Sequence, residues 1–160
     1  MGKVLKSFSN GVAGAISRSV DDIVISVKNA GETDIPFGTP VFFAPGENAC
    51  KPFDQSTSTS ANFIGIAVRI ADKTPDTYGG NVGQYAPNDP MDILVRGNTV
   101  LSFESTAAVG AGVYVRKADG KIVTSAGGEG TTVQLPGVTV RTGRDTNRCA
   151  EVSVTKRNFF

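Results

Sequence analysis

The chain has 160 residues, 39% of them hydrophobic and 19% charged, a balance typical of one folded domain. Histidine is absent, which excludes Ser-His-Asp and Cys-His catalysis and histidine-ligated zinc. The net charge of +1 argues against a protein whose whole surface binds nucleic acid. The 19 glycines and 8 prolines predict many turns and therefore many short strands.

The charge is distributed unevenly along the chain. Residues 1–20 carry three basic side chains and no acidic one, and residues 141–160 carry five basic and two acidic side chains. Acidic residues outnumber basic ones between these ends. Basic ends around an acidic body indicate either head-to-tail contact between copies, docking on an acidic partner, or simply solubilising charge at the termini.

Residues 1–20 are predicted to form an arm. Small residues dominate after Phe8, and two glycines weaken any helix. Apolar residues could still form a stripe that a partner orders: Val4, Leu5, Phe8, Val12 and Ile16. The run SFSNGVAGAIS is too polar for the core of a signal peptide, so we expect synthesis in the cytoplasm.

Three segments of the first half predict strands. Over residues 23–28, Ile23, Ile25 and Val27 alternate with Val24, Ser26 and Lys28, which is typical of a half-buried strand, and a second short strand follows over residues 40–44. Residues 62–71 have the clearest strand pattern. Gly65 and Ala67 lie on one face of that strand, and such small residues let a neighbouring backbone approach closely.

Residues 71–90 contain little periodicity, and a loop of that length is usually functional or ordered by a partner. Two strand patterns then flank Gly97 and Asn98, which predicts a hairpin-like or bulged corner.

Two hairpins are predicted beyond this corner. Residues 117–120 separate GVYVR from KIVT, and Pro136 with Gly137 separates VQL from VTVRT in a sequence that suits a type II turn. A last strand follows over residues 150–154.

These elements amount to about ten short strands and no helix. They predict an all-β fold, a small β-sandwich or barrel of short antiparallel strands with an extended N-terminal arm and a long central loop. The predicted organisation is an arm over residues 1–20, a single β domain over residues 21–155 and a basic-aromatic tail over residues 156–160.

The remaining candidate catalytic and ligand-binding residues are better explained by structural roles. Asp72, Asp76, Asp89 and Asp92 lie beside prolines, where aspartate is usually a turn residue rather than a catalytic acid. Neither a calcium-binding loop nor a phosphate-binding loop is present. We therefore expect no enzymatic activity, no metal and no cofactor.

Two further features leave alternatives open. Cys50 and Cys149 are interpreted as two buried thiols rather than a disulfide. The ending Lys156-Arg157-Asn158-Phe159-Phe160 could bind single-stranded nucleic acid through charge and stacking. Anchoring of phenylalanine in a groove of a neighbouring subunit is favoured over that interpretation.

Six segments, taken in order, resemble a known family. They are GVAGAISRSVDDIV at 11–24, IPFGTPVF at 35–42, FIGIAVR at 63–69, KTPDTYG at 73–79, YAPNDPMDILVRG at 85–97 and GAGVYVRKADGK at 110–121. Together they resemble the head decoration proteins of tailed bacteriophages, also called structural cement proteins.

The resemblance implies a non-enzymatic virion protein on the capsid exterior, made in the host cytoplasm, that holds capsomers together. It implies that the partner is the major capsid protein and that the protein self-associates, with a trimer expected. The alternative functions are a head fibre, a minor tail protein, or a module that binds single-stranded nucleic acid or glycan. The expected contact residues are Val4, Leu5, Phe8, Ile16, Arg18, Tyr78, Tyr85, Arg157, Phe159 and Phe160.

Overall fold

A computed structural model describes residues 9–44, 49–69 and 83–155, with only the backbone at residues 19 and 20. Every regular element in these ranges is a strand, which confirms the predicted all-β fold. The strands are β1 (Ile16–Asn29), β2 (Ile35–Pro36), β3 (Pro40–Phe43), β4 (Ala49–Pro52), β5 (Phe63–Ala67), β6 (Gln84–Tyr85), β7 (Pro90–Ser102), β8 (Gly112–Arg116), β9 (Ile122–Val123), β10 (Thr132–Val140) and β11 (Cys149–Val154).

Nine strands form one sheet in the order β1-β4-β3-β5-β7-β11-β10-β8-β9, and β2 pairs separately with β6. An additional β1–β7 pairing closes the first five strands of this order into a ring. The sheet then continues from the second half of β7 into β11 and β10. All of these pairings are antiparallel except β1 with β4. The fold is therefore a small barrel with a sheet extending from one of its strands.

Two hydrophobic cores follow from this arrangement. The barrel core takes residues from all five strands of the ring, including Val27, Val41, Cys50, Ala67 and Ile93. The sheet core packs residues of β8–β11 against the other face of β3, β5 and β7, and its members include Phe42, Phe63, Leu101, Leu135 and Val152. Cys50 and Cys149 form no disulfide, as the sequence predicted.

Strand β5 lies between the two cores, and all five of its residues are buried. This burial explains the nearly continuous apolar sequence of the segment, because a strand covered on both faces needs no polar side. The strand predicted over residues 62–71 is confirmed for Phe63–Ala67, and residues 70 and 71 lie outside the described part of the chain.

Strand β7 is one continuous strand of 13 residues that passes through the predicted corner. Gly97 adopts φ 132°, and a Cβ atom there would lie 2.2 Å from Asp22 Oδ1. Only glycine satisfies both constraints without strain. The predicted hairpin form of this corner is therefore absent, and opposite the continuous β7 it is β1 that inserts extra residues, between Arg18 opposite Asn98 and Ile23 opposite Arg96. Because β7 continues through Gly97, it serves both the barrel and the extended sheet.

The hairpin predicted at residues 117–120 is confirmed, since β8 and β9 pair antiparallel on either side of it. The hairpin predicted at Pro136 and Gly137 is wrong. Strand β10 runs through both residues, pairing with β8 before them and with β11 after them. A register shift between Gln134 and Thr139 absorbs the Pro-Gly pair as a bulge.

Candidate functional site

The segment preceding β1 is fastened to the loop between β10 and β11. The Asn10 backbone N–H donates to Asp145 Oδ2 at 2.8 Å. The Asn10 side-chain amide donates to the carbonyl oxygens of Gly143 and Cys149, each at 2.8 Å. Asn10 is thus a three-point clamp that fixes the start of the described chain on the loop between β10 and β11.

Asp145 organises this clamp from the loop side. Its Oδ1 accepts hydrogen bonds from the backbone N–H groups of Asn147 and Cys149, both at 2.9 Å. Burial by itself would raise the pKa of the Asp145 carboxyl, but these bonds and the one from Asn10 hold that pKa below its ordinary value. The carboxylate is therefore charged at neutral pH and holds three backbone donors.

Substitution of Asp145 by alanine is expected to lower the free energy of unfolding by roughly 1–3 kcal/mol, because three backbone donors lose a charged acceptor. Asp145→Asn retains one acceptor oxygen and should lose less. Amide hydrogen exchange would check the site, with faster exchange expected at Asn10, Asn147 and Cys149. Since the folded pKa is depressed, the part of this stabilisation that needs the charged carboxylate is present above the ordinary aspartate pKa and is lost as pH falls through the lower folded pKa. Unchanged exchange at Asn10 would contradict the clamp.

Residues 13–15 continue the attachment along β7. The Gly14 N–H donates to the Val100 carbonyl at 2.8 Å, and the Val100 N–H donates to the Ala15 carbonyl at 3.1 Å. The Gly14 carbonyl accepts from the Arg69 N–H at 2.9 Å. The predicted boundary of the arm at residue 20 is therefore corrected: residues 9–15 pack on the body, β1 begins at Ile16, and residues 1–8 lie outside the described part.

A buried carboxylate holds the start of β1 against β11. Arg18 Nε and Nη2 donate to the two carboxylate oxygens of Glu151 at 2.9 and 3.2 Å, and the Ser17 hydroxyl donates to Glu151 Oε1 at 2.7 Å. The Glu151 side chain is 7% exposed, whereas that of Arg18 is 66% exposed. We call this group the Glu151 latch; it fixes the register of β1 against the sheet.

Strand β1 also carries most of the large exposed apolar side chains in the described residues. Ile16 and Ile23 are each 38% exposed and Val24 is 40% exposed. Asp21 lies beside them and forms a salt bridge with Arg96. The exposed part of β1 is thus an apolar strip next to acidic residues, a composition suited to contact with another chain.

The structure places the expected contact residues in three groups. Ile16 and Arg18 lie on β1, where both are exposed. Tyr85 is fully buried in the barrel core, and its hydroxyl donates to the Val68 carbonyl at 2.6 Å. Tyr85 therefore offers no surface to a partner, and its assignment as a contact residue is corrected. The others lie outside the described residues: Val4, Leu5, Phe8, Tyr78, Arg157, Phe159 and Phe160.

The carboxylates considered for catalysis serve local structure where they are described. Asp89 Oδ2 accepts the Ala86 backbone N–H at 3.2 Å, and Asp92 Oδ1 accepts the Ser26 hydroxyl at 2.5 Å. Asp72 and Asp76 lie outside the described residues. Within residues 9–44, 49–69 and 83–155, no cluster of three or more cysteine, aspartate or glutamate residues could hold a metal ion. The same ranges contain no helix able to cross a membrane.

Comparison with known proteins identifies the family. The model of the structural cement protein family (E217 gp24/Pam3 gp6) matches residues 3–155. The chain belongs to this family of phage structural cement proteins. The match includes most of the N-terminal arm and stops before the basic-aromatic tail.

Two solved structures are similar to this cement protein. A chain from the capsid of Myoviridae phage XM1 superposes with a TM-score of 0.72 at 17% sequence identity, with 96% of each chain covered. The N base of head fiber gp8.5 in bacteriophage phi29 gives a TM-score of 0.44 at 11% identity, covering 86% of this chain and 99% of that one. The first similarity shows a shared fold. A search of curated proteins found no match.

Proposed function

We propose that the protein binds the outer surface of an assembled phage capsid and stabilises contacts between capsomers. The observation that carries the proposal is membership of the structural cement family over residues 3–155. A body with two cores, together with an N-terminal clamp, suits a protein that acts by holding surfaces together. The proposed partner is the major capsid protein, and the proposed location is the exterior of the virion.

The energetics of the arm limit how it could act. If residues 1–8, the part of the predicted arm before the clamp, become fixed only on binding, the cost is about 1–2 kcal/mol per residue, or roughly 8–16 kcal/mol in all. Burial of Val4, Leu5 and Phe8 returns only about 5–9 kcal/mol. The arm must therefore gain backbone hydrogen bonds as well, or act together with other contacts whose effects combine as avidity.

The proposed contact set follows from exposure and position. Ile16 and Arg18 are exposed beside the root of the arm. Val4, Leu5 and Phe8 belong to the arm itself, while Tyr78, Arg157, Phe159 and Phe160 remain proposals from the sequence. Because Arg18 also holds the Glu151 latch, its substitution would affect stability as well as contact.

Co-sedimentation with capsid shells that lack this protein tests the proposal across a salt series. We expect saturable binding of the full chain at a fixed ratio to the major capsid protein. Deletion of residues 2–8 should weaken binding at least tenfold while leaving the β-sheet circular dichroism unchanged, because the clamp at Asn10 is retained. Deletion of residues 156–160, which lie outside the family match, tests the other proposed contacts, Arg157, Phe159 and Phe160, separately. Full-length protein left in the supernatant at every salt concentration would overturn the proposal.

A further inference from the structure

The clamp residue Asn10 is followed by Gly11, and this is the only asparagine-glycine pair in the sequence. An asparagine in such a pair can lose its side-chain amide spontaneously. The backbone nitrogen of the following residue attacks the side-chain carbonyl carbon, and glycine hinders that attack least because it has no Cβ. The asparagine most prone to deamidation in this sequence is therefore the one that forms the clamp.

The reaction at Asn10 consumes water and releases ammonia. The Gly11 backbone nitrogen loses its proton and bonds to Asn10 Cγ, while the Cγ–Nδ2 bond breaks and the amide nitrogen takes up a proton and leaves as ammonia. Water then opens the resulting five-membered imide at one of its two carbonyl groups. The product is aspartate, or isoaspartate in which the main chain runs through the former side-chain carbonyl. Neither an oxidant nor a reductant is needed.

The clamp engages both of the nitrogen atoms that take part in this reaction. Asn10 Nδ2, which must leave, donates to the carbonyl oxygens of Gly143 and Cys149 at 2.8 Å each. The Gly11 N–H, whose nitrogen must attack, donates to Ser9 Oγ at 3.2 Å. All three hydrogen bonds are lost when the imide forms, so the folded clamp opposes the reaction.

The Asp145 carboxylate opposes the same reaction electrostatically. Its Oδ2 accepts the Asn10 backbone N–H at 2.8 Å and the Ser9 hydroxyl at 3.4 Å, which places its charge beside the Gly11 nitrogen. Deprotonation of that nitrogen would add a second negative charge next to the first, and a like charge nearby disfavours ionisation. Asp145 therefore holds the segment in place and also shields it chemically.

The product of deamidation cannot restore the clamp. An aspartate side chain at position 10 has no N–H group to donate to the carbonyl oxygens of Gly143 and Cys149. It also places a carboxylate against these two oxygens and close to Asp145, so attractive contacts become repulsive. Isoaspartate lengthens the main chain by one carbon as well, which shifts the segment against the loop between β10 and β11.

Loss of the clamp frees a defined length of chain. The hydrogen bonds that fasten Gly14 and Ala15 to Val100 do not involve Asn10, so they remain. The point at which the segment is first fixed therefore moves from Asn10 to Gly14. This shift of four residues adds at most about 14 Å of extended chain before the fixed point.

The two cysteines report whether the segment has detached. The Ala13 backbone N–H donates to the thiol of Cys149, a residue only 7% exposed. Residues 10–13 thus cover this thiol, and their release would open it to solvent. Cys50 is fully buried in the barrel core and serves as a reference within the same chain.

We propose that Asn10 is a deamidation site shielded by the clamp, and that its conversion releases residues 9–12 irreversibly. The reaction proceeds from the detached state, so its rate follows the fraction of time that the segment is open. Since ammonia is lost, a detachment that has reacted is permanent. Asn10 is then a slow clock that lengthens the free N-terminal segment, a property separate from the proposed attachment to the capsid.

Peptide mass spectrometry after incubation at mildly alkaline pH tests the shielding. Trypsin releases residues 7–18, in which Asn10 is the only asparagine, and deamidation changes the peptide mass by replacing NH2 with OH. We expect Asn10 to convert at least tenfold more slowly in the folded full chain than in the same chain in urea. Conversion in folded Asp145→Ala should be at least tenfold faster than in the unmodified protein.

Two controls accompany this measurement. Asn62 precedes the bulky Phe63 and should stay intact in every sample while Asn10 converts. If Asp145→Ala does not fold, Asp145→Asn replaces it, because it removes the charge and retains one acceptor oxygen. Equal conversion of Asn10 in the folded and the urea-unfolded chain, or no acceleration in the Asp145 variant, would overturn the shielding.

Thiol labelling tests the release. Asn10→Asp reproduces one product of the reaction, and we expect a thiol reagent to modify Cys149 at least tenfold faster in this variant than in the unmodified protein. Asn10→Ala loses the same donors without adding a charge, so its labelling rate should lie between the two. Labelling of Cys50 should be unchanged in both variants, which distinguishes local release from general destabilisation.

Two labelling results would overturn the release. One is a Cys149 that is as protected in Asn10→Asp as in the unmodified protein, and the other is equal acceleration at Cys149 and Cys50. Since none of these measurements contains capsids, their failure leaves the co-sedimentation result independent.

Discussion

Substitution of Gly65 by alanine is expected to lower the free energy of unfolding by more than about 4 kcal/mol or to prevent folding. A Cβ atom at this position would lie 2.3 Å from the Leu94 carbonyl oxygen and 2.7 Å from Ile93 Cγ2. The nearer contact is not relieved by rotating a side chain, because the Leu94 carbonyl belongs to the backbone of β7. Strand β5 would have to separate from β7, and both hydrophobic cores would open at that seam.

Urea unfolding followed by circular dichroism measures this effect. Gly143→Ala is the matched control, because Gly143 is exposed, has no atom within 4 Å of the added Cβ and does not adopt a positive φ. The control should stay within about 0.5 kcal/mol of the unmodified protein. If Gly65→Ala lowers the free energy of unfolding by less than about 1 kcal/mol, as an ordinary surface substitution does, the packing described for β5 is contradicted.

The close approach at Gly65 was predictable because its signal is local. Small residues on one face of an otherwise apolar strand indicate a neighbouring backbone, and Leu94 is that neighbour. The same holds for the hairpin at residues 117–120, whose turn sequence lies between two alternating segments. Where the pattern and the pairing involve adjacent residues, the sequence predicts the element.

Closure of the barrel was not predictable in this way. It depends on β1 pairing with β7 and β4, and nothing in the local pattern of β1 selects these partners. The Pro136-Gly137 pair shows a related difficulty, since the same dipeptide suits a tight turn and a bulge. The distant strands β8 and β11 determine which one forms.

The sequence also misplaces residues of the candidate site whose partners are distant in the chain. Tyr85 lies in a sequence rich in turn residues and was expected at the surface, but Val68 provides a buried acceptor for its hydroxyl. Glu151 lies between the inward-facing Ala150 and Val152, so alternation places it outside. It is buried because Arg18, more than 130 residues earlier in the chain, covers it. Contacts between residues so far apart leave no mark on local periodicity.

Substitution of Arg18 by alanine is expected to lower the free energy of unfolding by roughly 2 kcal/mol at neutral pH. The buried Glu151 carboxylate would lose both of its charged hydrogen bonds and keep only the Ser17 hydroxyl. Removing one partner of a buried ion pair typically costs about 3–5 kcal/mol. The smaller value applies here because the Arg18 side chain is 66% exposed and already partly solvated.

A double-mutant cycle separates the latch from other effects of Arg18. Glu151→Gln removes the buried charge while retaining an acceptor for Ser17, so the Arg18→Ala/Glu151→Gln protein should be more stable than Arg18→Ala alone, by about 1 kcal/mol. Arg96→Ala provides the control, because its salt bridge with Asp21 lies between exposed side chains and should contribute less than about 1 kcal/mol. Urea unfolding of all four variants measures these differences. If Arg18→Ala loses no more stability than Arg96→Ala, the Glu151 carboxylate does not depend on Arg18, and the register of β1 must be held by its pairing with β7 alone.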